Sequence, residues 1–154
     1  MRLIAVLATL ALAALLAACG SEDGLSKQEF AKEANSICRD LEKKVKAIGE
    51  GANSREEVGA ALDKVIDETE KSVEKLKDLD PPDGDAGETA SNYVDAFESD
   101  VEEKAVPAFE RLRDAVKSND QAAGAAALDE ITKLESQNKS DKFAKELGAK
   151  ACAS

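Results

Sequence analysis

The 154-residue chain has no histidine and no tryptophan, and its aromatic residues are four Phe and one Tyr. Without imidazole there is no Ser-His-Asp or Cys-His nucleophile, no ordinary zinc site and no His-ligated haem. The Glu-x-x-His motif of ferritin-like di-metal bundles is excluded for the same reason. Basic residues are scarce: 21 Lys and Arg stand against 32 Asp and Glu, a net charge of -11. Affinity for phosphate backbones comes from Lys and Arg releasing counterions, so nucleic acid is not an expected partner. Stacking on single strands needs aromatic platforms, which a 3% aromatic content does not supply. Clusters of β-branched residues are absent, which argues against strands. The length suits one domain.

What is present begins with a hydrophobic run. Arg2 precedes an uncharged stretch from Leu3 to Leu16, shorter than the roughly 20 residues a spanning helix needs. Small residues follow, so residues 1–18 read as a cleaved secretory signal outside the fold. Leu16-Ala17-Ala18-Cys19 resembles the lipobox of bacterial lipoproteins. That resemblance implies a thioether-linked diacylglycerol on Cys19, cleavage before it, and a mature chain starting at the acylated cysteine. The alternatives are an ordinary signal peptide with an incidental cysteine, or a buried core helix. Two acyl chains hold a protein on a membrane where one binds marginally, at about 0.8 kcal/mol per buried methylene. The expected location is the outer face of a bacterial plasma membrane, with Cys19 as the anchor.

Residues 19–25 are then the lipidated cysteine and a tether. Gly20 to Leu25 reaches at most about 20 Å, and Gly20, where Asp would signal inner-membrane retention, gives no such signal. Loss of Arg2 leaves 20 basic against 32 acidic side chains, so the mature net charge is -12. No basic patch assists the lipid.

Residues 26–154 read as four helical segments. The first opens with a capping box, Ser26 and Glu29, with Leu25 and Phe30 placed to close a hydrophobic staple. Its apolar stripe is Phe30, Ala34, Ile37, Leu41, Val45 and Ile48, and Gly49 and Gly51 end it. The second repeats the box with Ser54 and Glu57. It continues along Val58, Leu62, Val65, Thr69, Val73 and Leu76, and Pro81-Pro82 stops it. Thr69 sits mid-stripe, where its hydroxyl can bond back to its own helix.

The third segment runs from near Asp85 to about Ser118. Pro107 inside it removes a backbone donor and clashes with the carbonyl of Glu103, so a bend is expected where the stripe changes phase. The fourth follows Asn119-Asp120 and ends at Leu147, with Gly148 as its cap. One stripe on it would bury Asn138; another runs through Ser136 and Ser140. Either the helix breaks between Gln137 and Asp141, or it is continuous with a thinly packed middle, and the continuous form is preferred. Short connections make neighbours antiparallel. The expected fold is therefore all-α, an up-down-up-down four-helix bundle.

In an exported chain two further cysteines are expected to be oxidised, and acylation of Cys19 leaves Cys38 and Cys152 as a pair. In the bundle the end of the fourth segment lies beside the start of the first. Cys38 is about 18 Å along that first helix, and the tail from Ala149 to Cys152 spans about 13 Å if extended. A tail turning back along the first helix brings Cys152 near Cys38. The alternative is two free thiols, one buried and one exposed.

Glu29-Phe30-Ala31-Lys32-Glu33-Ala34-Asn35-Ser36-Ile37-Cys38 and Glu146-Leu147-Gly148-Ala149-Lys150-Ala151-Cys152 together resemble small uncharacterised helical lipoproteins of actinobacteria. In these a Phe-x-x-x-Ala-Asn-x-Ile-Cys start pairs with a Gly-x-x-x-Cys finish. The resemblance supports the cysteine pair and the compartment, and implies no activity.

The loop Asp78-Leu79-Asp80-Pro81-Pro82-Asp83-Gly84-Asp85 carries four carboxylates, with Glu88 shortly after. Calcium favours such oxygen clusters, but no register fits an EF-hand, and a solvated turn is the preferred reading. Acidic pairs such as Glu56-Glu57, Asp67-Glu68 and Glu102-Glu103 read as solvated helix faces. Ser140 and Lys142 do not make a Ser-x-x-Lys motif. Thr69 and Ser136 to Ser140 fall in a similar half of the bundle, where hydroxyls bonded to their own helices are preferred over a ligand cavity. No catalytic residue, metal ligand or cofactor is assigned. The expected function is a non-enzymatic, membrane-anchored helical bundle for protein interaction or envelope structure. The alternative is a ligand- or cation-binding lipoprotein using the bundle interior or the acidic loop 78–88.

Overall fold

The computed structural model describes residues 24–135 and 138–153. The leader, the Cys19 lipidation point, the tether to Asp23, and Ser136 and Gln137 lie outside the described residues. Among the described residues the fold is all-helical, without a strand. The helices are α1 (Lys27–Glu50), α2 (Arg55–Lys77), α3 (Asp85–Asp100), α4 (Val106–Ser118), α5 (Gln121–Glu135) and α6 (Ser140–Leu147). A π turn, Val101–Ala105, joins α3 to α4, and a 3-10 turn, Lys150–Cys152, follows α6. No helix among the described residues is long and apolar enough to cross a membrane.

Local chemistry sets the helix starts. Ser26 Oγ accepts from the Glu29 backbone at 3.3 Å while the Glu29 carboxylate accepts from the Ser26 backbone at 3.0 Å. Ser54 and Glu57 repeat this at α2, with distances of 3.2 and 2.8 Å. Each box satisfies two donors that the first turn leaves open. Asp120 Oδ1 accepts from the backbones of Ala122 and Ala123 and starts α5. The α4 helix ends at Asn119, which takes the left-handed conformation at φ 58°. There Asp120 N–H donates to the Ala115 carbonyl at 2.9 Å, closing a Schellman turn.

The third segment bends by changing its hydrogen-bond register. Val106 N–H donates to the Val101 carbonyl, five residues back, instead of to Glu102. The extra residue places Pro107 in the first turn of α4, where a missing N–H leaves no helical bond unmade. The burial pattern shifts across this turn, from Ala90 and Tyr93 to Val101, then to Ala108 and Ala115.

The fourth segment is broken, which corrects the preference for a continuous helix. The α5 helix ends at Glu135, Asn138 and Lys139 are not helical, and α6 begins at Ser140. The reason lies across the molecule: the Ser140 N–H donates at 3.0 Å to the carboxylate of Asp100 at the end of α3. A charged acceptor holds the donor that starts α6, so a new helix begins there.

The helices pack with two unlike ends. Phe30, Ala34, Leu76, Ala90, Tyr93, Ala144, Leu147 and Ala149 form one buried cluster drawn from α1, α2, α3, α6 and the tail. Leu25 packs against this cluster from outside α1, as the staple requires. At the other end Ala47 and Ile48 of α1 face Ala60, Ala61 and Lys64 of α2, and Asp63 of α2 pairs with Arg113 and Lys117 of α4. There Ile48, Val58, Leu62, Leu112 and Val116 are only half-buried. We call these the closed and open ends.

Candidate functional site

The closed end is clasped by the C-terminal tail. Gly148 takes φ 88° and ends α6, with the Ala149 N–H donating to the Ala144 carbonyl at 2.8 Å. A side chain at that φ would be strained, and this turn sends the tail back along α1. Asn35 of α1 then grips it twice. Its Nδ2 donates to the Gly148 carbonyl at 3.1 Å, and its Oδ1 accepts from the Ala151 N–H at 2.6 Å. Ala34, fully buried beside it, presents only a methyl group, so the tail lies close. Cys38 and Cys152 are joined at the end of this path, with 2.05 Å between sulfurs and 5.3 Å between Cα atoms. Tyr93 of α3 is 0% exposed, with its hydroxyl 3.9 Å from the Cys38 sulfur. Burial, and secondarily the charge of Asp141, push its phenol well up from the ordinary value.

A buried carboxylate lies where α3 meets α6. Asp100 is 6% exposed. Its Oδ2 accepts from the Ser140 backbone at 3.0 Å and from the Ser140 hydroxyl at 3.1 Å, and its Oδ1 pairs with Lys104 one turn on. Burial pushes the carboxyl up. The bonds from Lys104 and then from the Ser140 backbone and hydroxyl outweigh it, so the group is held below the usual carboxylate range. Asp100 is therefore a satisfied anion that caps α6 from another helix.

At the open end α2, α4 and α5 border an apolar groove of about 430 Å³. Val58, Leu112, Val116 and Leu128 line it, with Arg55 and Asp120 at its edge. Leu128 is 53% exposed and is the one large hydrophobic side chain on the surface among the described residues. A single exposed Leu is ordinary, but Leu128 extends the apolar lining of the groove to the surface, so the two form one patch.

The residues singled out in the sequence fall as follows. Cys38 and Cys152 are brought together, while Cys19 lies outside the described residues. Thr69 Oγ1 donates to the Val65 carbonyl at 2.8 Å, its own helix, as expected. Ser140 does not bond to its own helix, and the expectation of a self-bonded hydroxyl is corrected: Asp100 holds it. Asp78, Asp80, Asp83, Asp85 and Glu88 are all exposed. No three His, Cys, Asp or Glu among the described residues converge as a metal site. The loop is instead shaped by two glycines. A Cβ at Gly24 would collide with the Pro81 carbonyl, and one at Gly87 with the Pro82 carbonyl.

Two residues carried no assignment in the sequence reading: Asn35 and Asp100. Asn35 stands in the quoted start pattern, but its role depends on a tail 113 residues away. Asp100 left a usable trace, because it follows Tyr93 by seven residues and Phe97 by three. An acid in register with the apolar stripe is an acid that the fold must bury and pair.

The described residues define an all-helical domain with a disulfide clasp at one end and an apolar groove at the other. No family model matches the chain, and no curated protein and no solved structure shows significant similarity to it.

Proposed function

We propose that the protein is a membrane-anchored extracytoplasmic lipoprotein, held by lipid on Cys19 at the outer face of a bacterial plasma membrane. It is a non-enzymatic up-down helical bundle that binds a protein partner in the cell envelope. The observation that carries this reading is the opposition of the two ends. Gly24, five residues from Cys19, packs on Pro81 beside the closed end, whereas the groove with Leu128 lies at the open end. The α1 helix has 24 residues, so it separates the ends by about 36 Å at 1.5 Å per residue. A bundle tethered at its closed end turns its apolar groove away from the bilayer, where a partner can reach it. The partner surface is apolar, and Leu128 is its central contact.

Two measurements in cells test the halves of this proposal separately. Mass spectrometry of the protein extracted from membranes should find Cys19 as the first residue, carrying a diacylglycerol thioether, and an unmodified Cys19 would refute the anchor. Crosslinking in intact cells followed by mass spectrometry should recover a protein neighbour from the wild type. Leu128→Glu should remove that neighbour while leaving the melting temperature and membrane fraction unchanged. Equal recovery from both proteins would refute the groove as the contact.

A further inference from the structure

We propose that Asp100 is a latch for the clasp: by capping α6 from α3, it seats the tail and thereby favours the Cys38–Cys152 disulfide over the two thiols. The inference is independent of the membrane reading.

Cys152 reaches Cys38 only if the tail lies along α1, and the tail leaves α6 through the Gly148 turn. The direction of the tail is therefore set by where α6 sits. The α6 helix has only eight residues, and helices that short are not stable alone in water. Its seat has two parts. One is apolar, Ala144, Leu147 and Ala149 within the buried cluster. Apolar packing is non-directional and does not by itself choose where the helix begins. The other part is directional: Asp100 accepts both the backbone N–H and the hydroxyl of Ser140, the first residue of α6. That pair of bonds sets the start of α6, and seven residues later its end presents Gly148 to the Asn35 carboxamide. In the thiol form nothing covalent holds the tail, so the noncovalent seat determines how often the two sulfurs meet. This is an effective concentration, and whatever lowers the seated fraction shifts the exchange towards thiols by the same factor.

Reduction by glutathione balances simply. Two glutathione thiols are oxidised to one glutathione disulfide, the Cys38–Cys152 bond breaks, and each cysteine sulfur ends as a thiol. The experiment equilibrates the full chain in glutathione buffers of graded ratio. Cys38 and Cys152 are then read by differential alkylation and peptide mass spectrometry, so that Cys19 does not enter the count. Asp100→Ala should shift the equilibrium towards thiols at least tenfold. Asp100→Asn keeps one carbonyl oxygen for the Ser140 N–H and should recover part of the shift. Ser140→Ala removes the hydroxyl alone and should give a smaller displacement than Asp100→Ala. Asp63→Asn, an ion-pair change at the open end, should give none. An Asp100→Ala protein within twofold of the wild type would overturn the latch. So would an equal shift from Asp63→Asn, because the effect would then be general loss of stability. If Asp100→Ala does not fold, Asp100→Asn decides: a shift towards thiols larger than that of Asp63→Asn supports the latch, and one no larger overturns it.

Discussion

The closed and open ends use the same helices but different chemistry. At the closed end the large side chains, Phe30, Leu76 and Tyr93, are buried together and the polar contacts are long-range. Asn35 reaches Gly148 and Ala151, Asp100 reaches Ser140, and Cys38 reaches Cys152. At the open end the stripe residues are half-buried, Ala supplies much of the contact on α5, and surface ion pairs such as Arg111 with Glu130 join the helices. Exposed pairs of this kind contribute about 0 to 1 kcal/mol at most. Burial of large apolar groups and cross-links between distant segments concentrate stability where the tail docks. The open end is held by less, and it keeps an apolar surface uncovered.

The sharpest way to break this contrast is to hollow out the closed end. Phe30→Ala should destabilise the domain by about 3 to 5 kcal/mol, measured by denaturant unfolding, whereas Leu128→Ser should stay within about 0.5 kcal/mol. Similar losses at both positions would erase the distinction between the ends. Opening the clasp comes next. The disulfide joins residues 114 apart in sequence, and Cys38→Ser should remove about 2 to 5 kcal/mol, read as a fall in melting temperature. A variant that melts with the wild type would show that Asn35 and the apolar seat suffice.

A smaller effect, with a pH signature, belongs to Asp100. Its carboxyl is held below the ordinary range. Its contribution is therefore complete above the unfolded carboxylate value of about 3.9, and is lost as pH falls through the lower native value. At neutral pH Asp100→Asn should lose about 1 to 3 kcal/mol. The melting temperatures of wild type and variant should converge in strong acid, and a gap independent of pH would contradict the assignment. The finest test is native-state hydrogen exchange. Amides around Tyr93 and Ala144 should exchange only through global unfolding, and those of α5 through local opening. Uniform protection along the chain would mean that the two ends form one cooperative unit.

Much of the local structure was legible in advance. Ser26 with Glu29 and Ser54 with Glu57 started their helices as the residues indicate, because a cap needs partners only three positions away. Pro107 announced an interruption, because its ring acts on the preceding turn, and the π turn is how the backbone accommodates it. The break before Ser140 was legible only as an ambiguity. Both readings satisfied the local pattern, and the choice fell to a carboxylate 40 residues away. The groove was not legible at all, since Val58 reads as an ordinary stripe residue and meets Leu112 and Leu128 only when three helices are placed side by side.

The lack of His left no imidazole for catalysis or metal binding, and the scarcity of aromatic residues and positive charge gave no reason to expect a phosphate-backbone partner. Composition and short-range pattern by themselves determined that the chain is helical and where most helices start. Those are properties of neighbours within about one turn of helix. Tertiary structure decided that the fourth segment splits, that Asp100 is buried and Asn35 grips the tail, and that one end closes while the other keeps a groove. Each of these depends on groups that meet only when distant segments pack, and the free energy of burying a charge or docking a tail exists only in that packed state.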